Sequence, residues 1–541
     1  MDGGKKPSIP QVFQGQNILI TGATGFVGMV LLEKLLRCCP GVGRIYLIVR
    51  SKRGVCLRQR MKDLLERSFF NRCRSERGSI TWCCGSAEVA AMGDSAKGPL
   101  VVGIAGDIAE KGLGLEENDR LHLELHVTIV YHSAATVRFN EPLRQALYLN
   151  TRGTREMLEL ASRMPLLKEF IHVSTAYAHV SNHHTTIGER FFSVPIEPEY
   201  VIKAAEELKD EEYDEIVNRL AGIYHNTYLC TKALTERMIE KDYSQLPISV
   251  YRPGIVIACH ASPAPGWTTG LQGIGIVISG CAYGFLKRVY CDRRVKPELA
   301  PVDHVVNAML TIVWAKTIDR SNKPVNGMKK RIPIFNHVSS NHMGFSWGEF
   351  SQYLNKAIQE DKKTERLNLL KFSSSYMAYE FSSYMTLCFF KLLDIVNNLF
   401  GEKSDFARLQ MKAKSGIETV AYFMNNQFKF ADEGLINLRE RYAKEAGTDE
   451  SGYDSTEFKF DITTVDWNAL SKHYITHLRR ELAKYQGDLP GVYQKSIQKL
   501  KVLGCSLGLV GILLPYVSLY YLTAPFQWIY QSILTMLGNQ T

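Results

Sequence analysis

Several patterns that would assign a function directly are missing from this chain of 541 residues. Its twelve cysteines include no CxxC pair, so neither a zinc site nor a thiol-redox motif is indicated, and no metal site is expected. Scattered cysteines are typical of reduced, buried thiols in a chain that faces the cytosol. The N-terminal stretch MDGGKKPSIPQVFQGQN lacks the apolar core of a secretory signal peptide.

Clusters of one charge are also missing from most of the chain. The net charge is +10, but the basic residues form no recognisable nucleic-acid-binding pattern, so nucleic acid is not expected as a partner. A modest positive charge favours an anionic membrane surface or a coenzyme that carries phosphates.

Charged side chains are absent from residues 502–541, which follow Lys501. This stretch contains more than the roughly 20 apolar residues needed to cross a bilayer. A buried core helix is the alternative, but we expect a membrane anchor over 500–538. The anchor would be one span, or a span with a re-entrant or interfacial partner over 525–537. Lysines just before it predict that the N-terminal part faces the cytosol.

Apolar strands alternate with helical segments in the first part of the chain. Strands are predicted at 17–20, 44–50, 100–108, 126–135, 169–177 and 247–257. This alternation predicts an α/β fold with a Rossmann-type, doubly wound parallel sheet over 1–335, in which 51–98 forms helix and loop.

The alternation stops near residue 340, where amphipathic segments predict a helical C-terminal domain over 340–488. Residues 378–400 are apolar but include Glu380, Lys391 and Asp394. They therefore suit an interfacial or core helix better than a membrane-spanning one.

A glycine triplet, GxxGxxG within TGATGFVG, follows the first strand and opens a helix. Glycines in this position let backbone amides approach a pyrophosphate at a helix N-terminus. A simple tight turn is the alternative, but the context favours a dinucleotide site. The residues assigned to it are Thr21, Gly22, Thr24, Gly25, Phe26 and Gly28, with the small Ala134 and Ala135 that end the fourth strand.

The second strand ends in Arg50, and two more basic residues, Lys52 and Arg53, follow closely. An acidic residue at this point would bind a ribose 2′-hydroxyl, whereas a basic one accommodates a 2′-phosphate. NADPH is therefore favoured over NADH, unless these residues are only solvated surface charges. Asp107, at the end of the third strand, is expected to reach the adenine.

Tyr228 and Lys232 are four residues apart in YLCTK, a spacing that places both on one face of a helix. The same spacing recurs at 283–287, so position decides between the two pairs. The first pair precedes the sixth strand, on the helix expected to pass beside the nicotinamide. Ser174 and Thr175 end the fifth strand, at the sheet edge where α/β proteins bind ligands.

This arrangement predicts general acid catalysis, unless the pair is an ordinary helix-face contact. An ammonium close to Tyr228 would lower the phenol pKa from its usual value near 10. The phenol would then protonate a carbonyl oxygen as hydride reaches the carbon. Ser174 or, preferably, Thr175 would hold the same oxygen, and Lys232 is assigned to the cofactor site as well.

These motifs occur together with YHSAATVRFNEPLRQALYLNTRGT, FIHVSTAYA, YRPGIVIA and PVD at 301–303. The set resembles the fatty acyl-CoA reductases of the extended short-chain dehydrogenase/reductase superfamily, over nearly the whole chain. The resemblance implies NADPH-dependent reduction of long-chain acyl-CoA to a primary alcohol through an aldehyde, with Tyr228 and Lys232 as the catalytic pair. It also implies acyl-CoA and a lipid bilayer as partners, at the endoplasmic reticulum or the peroxisome.

Other functions fit parts of the pattern. An extended dehydrogenase that acts on a sterol or another lipid alcohol or ketone could use the same tail and helical region. A nucleotide-sugar enzyme would need neither, and the intact glycines and Tyr–Lys pair disfavour a non-catalytic scaffold. Acyl chain length and oligomeric state are not predicted.

Overall fold

A computed structural model describes residues 6–52, 54–92, 100–182, 186–270, 273–282, 284–321, 331–361, 368–445, 455–486 and 495–501. The strands within these ranges are β1 (Ile18–Thr21), β2 (Arg44–Val49), β3 (Thr81–Cys84), β4 (Leu100–Ala105), β5 (Ile129–His132), β6 (Glu169–Val173), β7 (Ile248–Pro253), β8 (Ile255–Ile257), β9 (Val289–Tyr290), β10 (Leu299–Pro301), β11 (Ile334–His337) and β12 (Phe372–Ser373).

The helices up to the middle of the chain are α1 (Ile9–Val12), α2 (Phe26–Cys38), α3 (Leu57–Leu65), α4 (Asn71–Arg77), α5 (Gly85–Met92), α6 (Glu117–His126), α7 (Leu143–Leu147), α8 (Gly153–Ser162), α9 (Pro198–Glu207), α10 (Asp210–Ala221) and α11 (Thr227–Asp242). Those that follow are α12 (Ile274–Ala282), α13 (Val302–Ser321), α14 (Trp347–Glu360), α15 (Tyr376–Leu399), α16 (Phe406–Asn425), α17 (Glu433–Glu445) and α18 (Trp467–Gln486).

Eight of the strands form one sheet in the order β11-β7-β6-β5-β1-β2-β4-β3. Every neighbouring pair is parallel. The chain leaves β1 toward β2 on one side and returns to β5 on the other, so the strand order reverses between β1 and β5. Ligands of open α/β sheets bind outside the carboxyl ends of the strands at such a point. The predicted Rossmann-type sheet is confirmed.

Both faces of the sheet are covered, so the side chains of its central strands are almost all buried. On one side α2 and α13 pack with the apolar side chains of β1 and β2, and on the other α8 and α11 pack with those of β5 and β6. Two sheet strands were not predicted. β3 lies within 51–98, where only helix and loop were expected, and the four-residue β11 pairs with β7 at the opposite edge.

The C-terminal part is helical, as predicted. Its helices α14, α15, α16 and α18 share one hydrophobic core with α12, which comes earlier in the chain. The C-terminal part also packs onto the nucleotide-binding part. α17 contributes Leu435 and Leu438 to the core beneath the sheet. Glu457 forms ion pairs with Lys34 (2.9 Å) and Arg37 (3.2 Å), two buried cations of α2.

The predicted anchor over 500–538 falls almost entirely outside the described residues, which end at 501. In the part of the chain that the structure describes, no helix combines the length and apolarity needed to cross a membrane. The apolar α15 belongs to this part, in agreement with its prediction as a core or interfacial helix.

Candidate active site

The glycine loop is a turn pressed against the end of β5. Gly22 adopts a positive φ of 75°, and a Cβ on it would lie 2.9 Å from the backbone nitrogen of Ala134. A Cβ on Gly28 would lie 2.3 Å from the carbonyl oxygen of Gly22. Only glycine fits at these two positions, so the first turn of α2 is held against β1.

Hydrogen bonds lock this loop to β5. The hydroxyl of Ser133 donates to the carbonyl of Thr21 (2.8 Å), and the Thr21 hydroxyl accepts from the backbone amide of Ala134 (3.2 Å). Gly25 caps α2 and brings no side chain to the first amides of the helix. Those amides and the helix dipole form a natural phosphate site, bordered by the half-buried Thr24, Phe26 and Ala135.

Basic side chains gather at the end of β2. Arg50 is half exposed, and its guanidinium lies 3.6 Å from the carboxylate of Asp107. Lys52 is exposed, whereas Arg53 lies outside the described residues. Arg60 of α3, which was not predicted, donates to the carbonyl of Arg50, and burial with the nearby Arg50 charge lowers its pKa.

Tyr228 lies in the first turn of α11, whose N-terminus is capped by the side chain of Asn226 accepting from the Leu229 amide (2.9 Å). The Tyr228 ring is half-buried and stacks on Phe139, with ring centres 5.6 Å apart. Burial raises the pKa of the Tyr228 phenol, and a hydrogen bond with the Thr175 side chain acts in the opposite direction. Of the two predicted hydroxyls, Thr175 is therefore the one next to the phenol.

Lys232 is buried one turn further along α11, and its ammonium donates to the carbonyl of Val173 at 2.6 Å. Burial lowers its pKa to about 8, against the opposing effect of the Glu236 charge. The prediction that Lys232 lowers the pKa of Tyr228 is wrong, because the pKa of Tyr228 is raised in the structure. Desolvation of the phenol dominates, and the ammonium is bound to the backbone of β6.

Ser174 has a different partner from Thr175. Its hydroxyl donates to Glu236 at 2.5 Å, and the same buried carboxylate accepts from Arg252 (2.9 Å) and His179 (2.8 Å). Burial alone would raise the pKa of Glu236, but the Arg252 guanidinium and the hydrogen bonds from Arg252 and His179 hold it well below its usual range. This network was not predicted, although Glu236 follows Lys232 by one helical turn in TKALTE.

Asn150 joins the end of β5 to α11. Its side-chain amide donates to the carbonyl of Thr136 (3.1 Å) and to the hydroxyl of Thr231 (3.0 Å), and it accepts from the Thr136 amide (2.8 Å). Asn150 lies in a π-helical turn between α7 and α8, and such turns are frequent at functional sites. Sequence reasoning missed Asn150, although it is part of the quoted run LNTRGT.

Aromatic residues from the helical C-terminal part complete the wall beside Tyr228. The ring centre of Phe423, near the end of α16, lies 5.7 Å from the ring centre of Phe139 and 4.7 Å from that of Tyr177. Its neighbour Tyr422 stacks on His225 at 3.9 Å. The helical part therefore contributes side chains to the surroundings of Tyr228, which the sequence did not indicate. Tyr283, of the competing pair, lies outside the described residues.

Among the described residues, His260, Asp303 and His304 form the one group compatible with a metal ion. The two imidazoles contact each other through nitrogens 3.1 Å apart. Both Asp303 oxygens accept backbone amides of 260–262, so this carboxylate already caps the loop that follows β8.

Comparison with known proteins identifies the family. A family model described as male sterility protein matches residues 20–309, and a second with the same description matches 385–485. Fatty acyl-CoA reductase 1 of Rattus norvegicus is 30% identical over 504 residues, which cover 91% of this chain and 90% of that protein. This chain belongs to the fatty acyl-CoA reductase family. It is therefore an oxidoreductase, which confirms the predicted class of enzyme.

Other members of the family align over the same extent. Fatty acyl-CoA reductase 2 of Homo sapiens is 28% identical over 91% of this chain and 89% of its own length. Among solved structures, a nonribosomal peptide synthetase reductase domain from Mycobacterium tuberculosis superposes with a TM-score of 0.52 at 18% identity, covering 90% of this chain and 94% of that one. This second likeness concerns the fold alone.

Proposed function

We propose that this fatty acyl-CoA reductase family member converts long-chain acyl-CoA into a primary alcohol with NADPH, through an aldehyde. Membership of the family is the observation that carries the proposal. Tyr228 and Thr175 support it because they form a hydrogen-bonded pair of hydroxyls at the carboxyl edge of the sheet, where the glycine loop also lies.

The residues at the nucleotide end fit a dinucleotide phosphate. Close packing at Gly22 and Gly28 leaves the first amides of α2 as anion donors, and Arg50, Lys52 and Arg60 supply positive charge where a 2′-phosphate would bind. When bound, NADPH supplies hydride for two successive reductions, so one acyl-CoA consumes two NADPH and two protons and yields one alcohol and free coenzyme A.

Tyr228 serves as the proton donor in this proposal. A reductive step needs a neutral phenol, and burial keeps the Tyr228 phenol protonated at neutral pH by raising its pKa. The oxygen that receives the proton becomes an alkoxide as the carbonyl is reduced, and an alkoxide is much more basic than a phenolate. Proton transfer from Tyr228 is therefore favourable despite the raised pKa.

Thr175 and Lys232 assist the phenol in different ways. The Thr175 hydroxyl binds the phenol oxygen and is available to the substrate oxygen that the phenol protonates. Lys232, with a pKa of about 8, exchanges protons near neutral pH and replaces the proton that Tyr228 gives up.

One phenol suffices for both reductions. The first yields a thiohemiacetal, whose hydroxyl proton passes to the sulfur as the C–S bond breaks, so that coenzyme A leaves as a thiol and an aldehyde remains. The second yields the alcohol. In each step the negative charge develops on the same carbonyl oxygen, so the same donor applies.

Membrane attachment through 502–541 is the second element of the proposal. A long acyl chain and its alcohol partition into lipid, and the apolar tail would hold the enzyme there with its catalytic part in the cytosol, at the endoplasmic reticulum or the peroxisome. Alkaline carbonate extraction followed by protease protection of an N-terminal epitope tests this assignment. Release of the full chain by carbonate would contradict it.

Product analysis tests the reaction. Purified enzyme with palmitoyl-CoA and NADPH should form hexadecanol with two NADPH oxidised per alcohol, measured by gas chromatography and absorbance. NADH should give at least about tenfold lower kcat/KM, since the basic residues near β2 would lose their phosphate partner. No NADPH oxidation with any acyl chain length would overturn the proposal, and equal use of NADH would overturn the cofactor assignment.

A further inference from the structure

The helix α15 carries an exposed apolar stripe that the reaction does not use. Large apolar side chains are well exposed at Met377 (79%), Phe381 (57%), Tyr384 (64%), Ile395 (56%) and Leu399 (70%), with the exposed Cys388 between them. Their spacing of three, four or seven residues places them on one face of the helix. We call these six residues the α15 apolar face.

This exposure is a stable feature of the fold. α15 is 24 residues long, and its opposite face is buried in the C-terminal core through Tyr379, Phe390 and Leu393. Its first turn is capped by Ser375, whose hydroxyl accepts from the Ala378 amide. Contiguous exposed apolar surface of this kind marks a contact with a partner or with a membrane.

The uncharged tail leaves the structure beside the end of this helix. Residues 495–501 are helical. Asn397 donates to the Ser496 hydroxyl at 2.9 Å, and the Lys499 ammonium lies 5.5 Å from the Phe400 ring centre and 2.6 Å from a Glu402 oxygen. Beyond Lys501 the chain continues for 40 residues without a charged side chain. A bilayer that received this tail would lie next to the C-terminal end of α15.

The small area of the α15 apolar face argues against a second copy of the chain as the partner that covers it. A helix of this length presents about 36 Å by about 10 Å, so two such faces would together bury roughly 700 Å², less than the 1,200 Å² or more of stable protein interfaces. Lys391 also belongs to the exposed side of α15. A lysine of this kind suits the headgroup region, because its stem lies on apolar surface while its charge reaches water.

We propose that the α15 apolar face lies in the headgroup–acyl boundary of a phospholipid bilayer, as an in-plane helix next to the anchor. The inference rests on the proposed anchoring of residues 502–541. The inference adds the orientation of the catalytic part relative to the bilayer. α16 packs along α15 and carries Phe423, near its end, in the aromatic wall beside Tyr228, so one helix lies between the proposed bilayer surface and the candidate active site.

Three native cysteines provide matched probes in the full-length protein. Each of three proteins keeps one of Cys388, Cys56 and Cys505, and the other two are changed to serine together with the half-buried Cys84. The remaining eight cysteines are buried. Cys56 is exposed at the start of α3, and Cys505 lies in the tail. The retained thiol carries an environment-sensitive fluorophore, and the protein is reconstituted into phosphatidylcholine–phosphatidylserine vesicles with or without brominated acyl chains.

Labels at Cys388 and Cys505 should be quenched several-fold by brominated lipid, and the Cys56 label should not be quenched. If Cys505 is quenched while Cys388 matches Cys56, the α15 inference is wrong and the anchor stands. If Cys505 is not quenched, the anchor proposal fails. A Cys388 blue shift that grows with protein concentration but is insensitive to brominated lipid would assign the face to a second copy instead.

A charge variant gives an independent functional readout. Phe381→Asp combined with Ile395→Asp should raise KM for palmitoyl-CoA presented in vesicles by about tenfold, while kcat/KM for soluble octanoyl-CoA stays within about twofold of wild type. An unchanged KM on vesicles would overturn the inference. If both activities are lost, thermal denaturation will show whether the variant is unfolded. An unfolded variant is replaced by Met377→Gln combined with Leu399→Gln. For this second variant, too, a raised KM on vesicles supports the inference and an unchanged KM overturns it.

Discussion

The nucleotide end and the catalytic end of the candidate active site differ in how many separate segments of the chain build them. At the nucleotide end, residues 21–28 and the end of β5 supply the whole turn, and backbone contacts decide its shape. At the catalytic end, Tyr228 depends on Thr175, Phe139 and Phe423, which come from separate segments. A local turn tolerates few substitutions within it, whereas the assembled end is sensitive to residues far away in sequence.

Glu236 offers the largest expected effect, at the assembled end. Glu236→Gln leaves the buried Arg252 without a charged partner, and breaking a buried pair in this way costs about 3–5 kcal/mol of stability. Chemical denaturation should show the loss, and NADPH affinity measured at low temperature on the folded fraction should remain close to wild type. Unchanged stability would mean that the Arg252 network does not hold α11 in place.

The same substitution should change the response to acid. The pKa of Glu236 lies well below its usual value of 4.5, so its contribution to stability is present above about pH 4.5 and is lost as pH falls below it. The wild type should lose stability on acidification more steeply than Glu236→Gln. Parallel curves for the two proteins would contradict the ionised state of this carboxylate.

Gly28 tests the opposite end. In Gly28→Ala the new methyl would lie 2.3 Å from the Gly22 carbonyl oxygen, and relief of such overpacking costs about 1–3 kcal/mol. We expect an NADPH dissociation constant about 10- to 100-fold higher, measured by fluorescence titration. Gly344→Ala is the control, because a Cβ at Gly344 meets nothing within 4 Å. If both variants bind NADPH equally, the loop is not the phosphate cradle.

Thr175 and Ser174 form a finer comparison within the catalytic end. Thr175→Val removes the hydrogen bond to the phenol and should lower kcat by about tenfold, the equivalent of one hydrogen bond, with little change in stability. Ser174→Ala removes a partner of Glu236 and should act mainly on stability. The reverse result would exchange the roles assigned to the two hydroxyls.

The smallest expected effect is the alkaline limb of the pH profile. The pKa of Lys232 is lowered from 10.5 to about 8, so kcat should fall above about pH 8 as the ammonium deprotonates. The cost of burying this charge is present below pH 8 and is relieved between the two pKa values, so the fall does not come from this group destabilising the fold. A kcat that is constant to pH 10 would remove Lys232 from proton transfer.

Sequence reasoning was most successful where structure depends on local patterns. The alternation of strands and helices indicated the parallel sheet, and the GxxGxxG spacing placed the tight turn after β1 correctly. The strands β3 and β11 were missed because each has only four residues, too few for a clear apolar pattern. Their pairing with β4 and β7 specifies them instead, and β7 is distant from β11 in sequence.

The catalytic end was predicted less completely for a physical reason. Spacing placed Tyr228 and Lys232 on one helix, but it carries no information about desolvation. Burial therefore reversed the expected direction of the Tyr228 pKa. The partners of Glu236 and the Phe423 wall depend on how distant segments pack, which a single sequence does not specify. Arg60 and Asn150 were missed for the same reason.

The central claim is that a single neutral phenol, Tyr228, donates the proton in both reductions. Rapid-quench single turnovers of Tyr228→Phe with palmitoyl-CoA, and separately with hexadecanal, test it directly, with Tyr200→Phe as a matched exposed control (Tyr200 is 58% exposed). NADPH binding is measured on the same samples. Both reductions should slow by about 10²- to 10⁴-fold, while NADPH binding and the Tyr200→Phe control should be unchanged. Reduction of either substrate at the wild-type rate would contradict it.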